Sequence, residues 1–473
     1  MPELILAIDV GTTSTRAAVL GPDGRLAGLA AAPLASLTPE PGRVEQDAAR
    51  VWAATRRVIA SALAAAGRAP ADIAAVGVTT QRASLVVWDK PTGAPLSPLV
   101  VWSDLRGAAR GAELARAGFM LAPQQSAAKL EAVMATVAAP RDDIAWGNID
   151  SYLIFRLTGG AVHATDRGQA WPSGYLAFPG LGWNEALIEH QGLDARWFPS
   201  LVDTWGPIGT TARGAFGAAV PITADVADQQ SALIAHGDVA GTAKITFGTS
   251  ATFDLATGTE FTFPGPTVPP LLVSSVAGET RWCVEGMVLS AGSALDWLRA
   301  TCALGGHARF GALAASVPDT AGAAFLPALQ GLGAPHGDPS RRGALRGLSA
   351  SVTRAHLARA GLEGLAFRAR EVVDHVYGLT GVPPPEVLGV DGGLTRGFLF
   401  PRVLADLLGR PVRRHSAPEA TLLGAALCAG RGAGLLSEAD ALALVRYDPP
   451  VEPRISADEA AARFADWRAA VYP

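Results

Sequence analysis

Apolar and polar positions fall in short blocks along the chain, and the first block is the most telling. Residues 4–9 (LILAID) are mostly apolar and read as a buried strand, which breaks at Val10-Gly11. Thr12, Thr13, Ser14 and Thr15 follow, then a second apolar run at 17–20 and the turn Gly21-Pro22-Asp23-Gly24. This pattern predicts a β-hairpin whose tip carries backbone N–H groups and hydroxyls but no bulk. Such a tip can wrap anionic oxygens, because glycine lets the backbone approach and small side chains donate without blocking. Asp9, at the strand end, stands where a hydrated Mg²⁺ needs a carboxylate. The logic repeats at 241–258, GTAKITFGTSATFDLATG, with Gly248-Thr249-Ser250 at the tip. Two such hairpins predict two related domains gripping a polyphosphate. A third cluster, Val390-Asp391-Gly392-Gly393, has the form of a strand end where a base or ribose lies on bare backbone.

Between these points the periodicity predicts an α/β order. Residues 47–66 alternate Val51, Trp52, Ile59 and Leu63 with Arg50, Arg56 and Arg57 at helical spacing, a helix that ends at Gly67. Residues 73–80 and 85–88 read as strands, the first running into Gln81-Arg82 and the second closed by a turn at 89–93. The stretch 146–207 is rich in Trp, Gly and Pro with weak periodicity, and reads as loops and short helices. An apolar run at 222–235 is interrupted by Asp225, Asp228, Gln229 and Gln230. The domain boundary is placed at His236-Gly237-Asp238, dividing the chain into 1–236 and 237–473. FTFPGPTVPP at 261–270 must be loop. Further helices are predicted over 288–304, 352–376, 401–408 and 417–430.

Composition narrows the classes. A chain of 473 residues exceeds one ordinary core, and 49% hydrophobic content supports large buried sheets. A net charge of −4 gives no electrostatic case for nucleic acid. Cys283, Cys302 and Cys428 show no CxxC spacing and sit in apolar stretches, which predicts buried reduced thiols. The first strand begins almost at once, leaving no room for a signal peptide, and no apolar run approaches a membrane span. The expectation is a soluble cytoplasmic protein with a small-molecule partner, no nucleic acid and no membrane.

Eight motifs then occur in one order: DVGTTSTR at 9–16, TTQRASLVVWD at 79–89, VVWSDLRG at 100–107, VADQQSA at 226–232, ITFGTSATF at 245–253, GLGAPHGDP at 331–339, VDGGLTRGFLF at 390–400, and the segment 419–430. With them the chain resembles the FGGY carbohydrate kinases, within them the glycerol kinase branch, over nearly its whole length. The resemblance implies two actin-like (ribonuclease H-like) α/β ATPase domains with the active site in the cleft between them. It implies MgATP-dependent phosphorylation of a hydroxyl on a small polyol or sugar, and often a homodimer or homotetramer. Thr12, Thr13, Ser14 and Arg16 match the family's first phosphate loop, and Thr249 matches the second. Gly331 and Gly393 match nucleoside contacts, and Gly397 stands where glycerol kinases often carry an Asn for adenine. Asp228 matches the general base, beside Gln229, and Asp9 the carboxylate that holds Mg²⁺ through water. Gln81, Arg82 and Trp102 match the substrate pocket.

The match to glycerol kinases is incomplete. Those enzymes carry Arg-Glu after the motif's Gln, whereas this chain reads Gln81-Arg82-Ala83. A hydroxyl that loses an ionic acceptor forfeits roughly 1–3 kcal/mol. The Tyr that closes the glycerol pocket falls on Pro123-Gln124-Gln125-Ser126, which offers amides instead, and the segment 118–125 is short. Glycerol remains the first candidate through the branch resemblance alone, with a ketopentose or longer polyol, as in xylulokinases, the alternative. An actin-like ATPase or chaperone would share both hairpins but would have no use for Gln81-Arg82, Trp102 and Asp228-Gln229.

Overall fold

The computed structural model describes residues 4–119, 121–138, 141–397 and 399–472. The opening pattern forms β1 (Leu4–Val10) and β2 (Ser14–Leu20), which pair antiparallel with Asp9 opposite Arg16. A third strand, β3 (Leu26–Pro33), pairs with β2 on its outer side. Its residues alternate between half-buried and exposed, and they are small enough that the hydrophobic pattern gave no strand there. Helix α1 (Ala48–Ala65) starts at Asp47, whose carboxylate accepts from Arg50 N as an N-cap. Strands β4 (Ile73–Thr80) and β5 (Leu85–Asp89) stand where the sequence puts them.

The stretch from 146 onward is more regular than its composition suggests. After helix α2 (Ser126–Met134), strand β6 (Ile144–Asn148) pairs with β5 and leads into α3 (Ile149–Leu157). Almost every residue of α3 is buried, so its sequence has no polar face to mark it as a helix. The short α4 (Arg167–Ala170) is capped by Asp166. Strand β7 (Trp205–Thr210) pairs with β8 (Pro221–Ala227), and α5 (Asp228–Ala235) follows β8 without a break. The main sheet runs β7-β8-β4-β1-β2-β3, with β4 parallel to both β1 and β8.

A second unit contains β9 (Ala243–Phe247), β10 (Ala251–Gly258) and β11 (Glu279–Val288). The apolar run at 288–304 is not one helix: Val288 closes β11, and α6 (Gly292–Thr301) begins after a turn. The long α7 (Arg354–Thr380), β12 (Leu388–Asp391), α8 (Leu399–Leu408), β13 (Val412–Arg414) and α9 (Ala420–Gly432) follow. Five strands of this six-stranded sheet run in the order β11-β10-β9-β12-β13, antiparallel through the first three and parallel through the last three. The first sheet has the same scheme from β3 to β8. Each is an antiparallel meander extended by two parallel strands, so the chain holds one motif twice.

The two compact units are not simply consecutive. The first is residues 1–235 with 271–281 and 421–444, and the second is 236–270, 282–420 and 445–473. Helix α9 thus belongs almost entirely to the first unit. Cys283 and Cys428 are buried and Cys302 is half-buried. No helix among the described residues is long and apolar enough to cross a membrane.

Candidate active site

In the first unit, strands β1, β4 and β8 run parallel and carry chemistry at the same end. Asp9 is near the end of β1, Gln81-Arg82 directly follow β4, and Asp228-Gln229 directly follow β8. Parallel neighbours bring these residues together although they are far apart in sequence, and the C-terminal edge of such strands is where α/β sheets expose functional groups. Gln81 N donates to Val10 O at 2.9 Å, which fixes the end of β4 against the hairpin tip.

The side chains form two adjoining groups. In one, Trp102 Nε1 donates to Thr12 Oγ1 (3.1 Å), and Thr12 Oγ1 donates to Gln81 Oε1 (2.9 Å). Gln46 supports both, donating to Thr12 O (2.6 Å) and accepting from Gln81 Nε2 (3.4 Å). In the other, Arg82 Nε lies 3.6 Å from Asp228 Oδ1, and that oxygen also accepts from Gln229 N at 2.8 Å. Arg82, Asp228 and Gln229 are half-buried, open enough to meet a ligand. The hairpin tip is tight, with Gly11 N donating to Ser14 O, while Thr13 is exposed.

Asp9 is buried, with Arg16 Nη1 3.4 Å from its Oδ2. Among the described residues no group of three or more His, Cys, Asp or Glu is arranged to hold a metal. One carboxylate beside an arginine suits an ion that arrives on phosphate oxygens and keeps most of its water, as Mg²⁺ does.

A buried cation lies behind this surface. Lys129, on α2, has no exposed area, and its Nζ donates to Ala83 O and Val101 O, each at 3.1 Å. Burial pushes its pKa down to about 7; Asp104 opposes that shift and Arg106 adds to it. Burial also works against ionisation of Asp104, yet hydrogen bonds from Arg106 and Val44 N hold this carboxyl below its ordinary range. Nothing in the sequence marks Lys129 or Gln46: Lys129 follows two alanines, Gln46 stands between Glu45 and Asp47, and neither lies in any of the eight motifs.

In the second unit a cavity of about 510 Å³ is bordered by Gly248, Thr249, Gly393 and Gly397, together with Phe247, Ser293, Asp296, Arg299, His307 and Phe400. The predicted residues Thr249, Gly393 and Gly397 therefore share one hollow. The contribution of α6 was not predicted, because its start was masked by the apolar run before it. Its N-terminus is stitched to the hairpin tip, with Gly292 N donating to Gly248 O and Ser293 Oγ to Thr249 O, each at 3.0 Å. Gly331 is not among the residues bordering this cavity. At φ +91° a side chain there would run into the backbone of Asp338 and Pro339, so the turn itself requires glycine.

The sequence profile of the FGGY family of carbohydrate kinases, N-terminal domain, matches residues 4–235, and that of its C-terminal domain matches residues 243–433. The chain belongs to the FGGY family of carbohydrate kinases. It is a phosphotransferase acting on a hydroxyl group. The glycerol kinase of Thermus brockianus is 38% identical over 99% of this chain and 97% of its own. A second, from Geobacter sp. strain M21, is 38% identical over 96% and 95%. In fold the chain matches the crystal structure of Plasmodium falciparum glycerol kinase with ADP, at TM-score 0.88 and 24% identity over 99% and 97% of the two chains. The repeated sheet motif is thus the actin-like scheme of FGGY kinases.

Proposed function

We propose that this FGGY kinase transfers the γ-phosphoryl group of ATP to a hydroxyl of a small polyol, with glycerol the first candidate. The observation that carries the reading is the Arg82–Asp228 pair at 3.6 Å beside the Thr12–Gln81–Trp102 network. A half-buried carboxylate beside a guanidinium, with an indole tied through Thr12 to the glutamine next to that arginine, is a site for a compact hydroxylated molecule. Asp228 is the general base and accepts the proton of the attacking hydroxyl. Arg82 and Gln229 orient that hydroxyl and its neighbour, and Trp102 packs against the carbon chain. The transferred group passes through a loose transition state, so placing the acceptor oxygen in line matters more than covalent help.

Thr12, Thr13, Ser14 and Arg16, at the first hairpin tip, and Thr249, at the second, are assigned to the phosphates by resemblance. Gly393 and Gly397 leave room for the nucleoside, and Gly331 is assigned to the same end by resemblance. Mg²⁺, when bound, neutralises phosphate charge, and Asp9 would hold it through water. The functional halves are then 1–236, with the acceptor site, and 237–473, with the nucleoside site. The glycerol kinase relatives support glycerol. Ala83, where those enzymes carry a carboxylate, supports a ketopentose or longer polyol as the second reading.

The test is ADP formation by the purified protein with a panel of glycerol, longer polyols, ketoses and aldoses, for the natural chain and for Asp228→Asn. A positioned general base is worth about 10²–10⁴ in rate, so the variant should lose turnover by that factor on the best acceptor. Near-normal turnover in Asp228→Asn would remove Asp228 from the role.

A further inference from the structure

Residues 82–84 and 101–102 carry the acceptor-side groups, and both are short loops with little secondary structure of their own. Ala83 sits at φ +50°, in the left-handed region that residues with a Cβ enter at a cost. Such a conformation persists only where the surroundings over-determine it. Here two devices do so. Ser84 Oγ accepts from Trp102 N at 2.9 Å and donates to Arg82 O at 3.3 Å. Beneath it, Lys129 Nζ donates to Ala83 O and to Val101 O.

A fully buried lysine is a costly way to fill space, since a hydrocarbon of similar length packs without losing hydration. The ammonium does not make its hydrogen bonds to a carboxylate: the nearby Asp104 is taken up by Arg106 and Val44 N, and Arg106 in turn reaches Glu45. What Lys129 adds is its donors, and the two hydrogen bonds they make fall on carbonyls that flank proposed site residues. We infer that Lys129 is a positioning residue for phosphoryl transfer, clamping the backbone at Ala83 and Val101 so that Arg82 faces Asp228 and Trp102 reaches Thr12.

This inference rests on the acceptor site proposed above, and its test separates the two. Lys129→Met keeps the stem and removes the donors. Its kcat/KM for the best acceptor should fall at least tenfold, while KM for ATP stays within about twofold. Ala83→Gly added to Lys129→Met should recover most of that loss, measured against Ala83→Gly alone, because glycine holds the left-handed conformation without a clamp. Unchanged acceptor kinetics in Lys129→Met, or no recovery in the double variant, overturns the inference. So does an equal loss toward ATP and acceptor, which marks general unfolding. Should Lys129→Met aggregate, Lys129→Gln, whose shorter side chain cannot reach both carbonyls, should lose kcat/KM for the acceptor relative to the natural chain with the same recovery on adding Ala83→Gly, and absence of either counts against the clamp. If the natural protein phosphorylates nothing in the panel, the acceptor reading fails. Lys129 is then judged on a crystal structure of Lys129→Met, where residue 83 retaining positive φ overturns it.

Discussion

Three carboxyl groups, Asp150, Asp166 and Asp225, are buried around β8, the strand that leads into Asp228, and they impose a pH dependence. Asp225 Oδ2 accepts from Asp166 N at 2.9 Å, Asp150 Oδ2 accepts from Thr165 Oγ1 at 2.6 Å, and Asp166 Oδ2 accepts from Thr204 Oγ1 at 2.8 Å. Burial raises the pKa of both Asp150 and Asp225, and the charge of Asp150 raises Asp225 further. A raised carboxyl binds a proton in the folded state that the unfolded chain releases near 3.8. Its stabilising contribution is complete below that value and is lost as pH rises through the folded pKa. Asp225→Asn keeps an acceptor for Asp166 N and does not titrate. Its stability relative to the natural chain should therefore increase between pH 5 and pH 8, by at most about 1.4 kcal/mol for each pH unit of that interval in which the folded carboxyl keeps its proton. Urea midpoints at the two pH values would check it, and an unchanged difference would sink it. At this scale the sequence revealed those groups that lie in dense motifs, such as Asp228, Gln81 and Thr12. Asp225 showed only as a break in an apolar run, and Lys129 not at all, because its importance lies in two carbonyls distant along the chain.

Helices and strands of the first unit approach closely where glycine removes the side chain. A Cβ on Gly77 of β4 would come 2.3 Å from Ala425 O on α9, and one on Gly424 would come 1.8 Å from Ser231 O on α5. Helix α9 is thereby seated against both the strand that ends in Gln81 and the helix that begins with Asp228. Ser231 Oγ donates to Thr421 O at 2.6 Å across the same contact. Gly424→Ala should push α9 away from α5. The expected cost is about 1–3 kcal/mol, the range for overpacking, with a fall in turnover larger than that in ATP affinity. Chemical denaturation and steady-state kinetics would measure both, and unaltered stability would show that the contact gives way freely. Elements were legible where one face is apolar and the other polar, as in α1. They were lost where that contrast fails: β3 is too rich in alanine to look like a strand, and α3 is buried all round.

Over the whole molecule, the sheet motif repeats although the sequence echoes only at the two hairpin tips. Strand order follows from which edges pair, and a single sequence does not record that. Nor does it record that the first unit is completed by segments 271–281 and 421–444. Thr223 on β8 donates to Ala429 O on α9 at 2.8 Å, so the later helix covers a face of the earlier sheet. A chain cut after residue 236 should lack that cover and fail to fold cooperatively. Loss of near-ultraviolet circular dichroism and a broad urea transition would show it, whereas a sharp transition would mean the sheet needs no help from α9.

The same interleaving sets a timetable for biosynthesis. The first unit waits, after its first 235 residues are made, for about 200 more before α9 exists. At ordinary synthesis speeds of about 5–20 residues per second, that is roughly 10–40 s on the ribosome with an apolar sheet face uncovered. An N-terminal half that must wait so long is a natural client for chaperones, and crowded expression should favour its aggregation before the chain is finished.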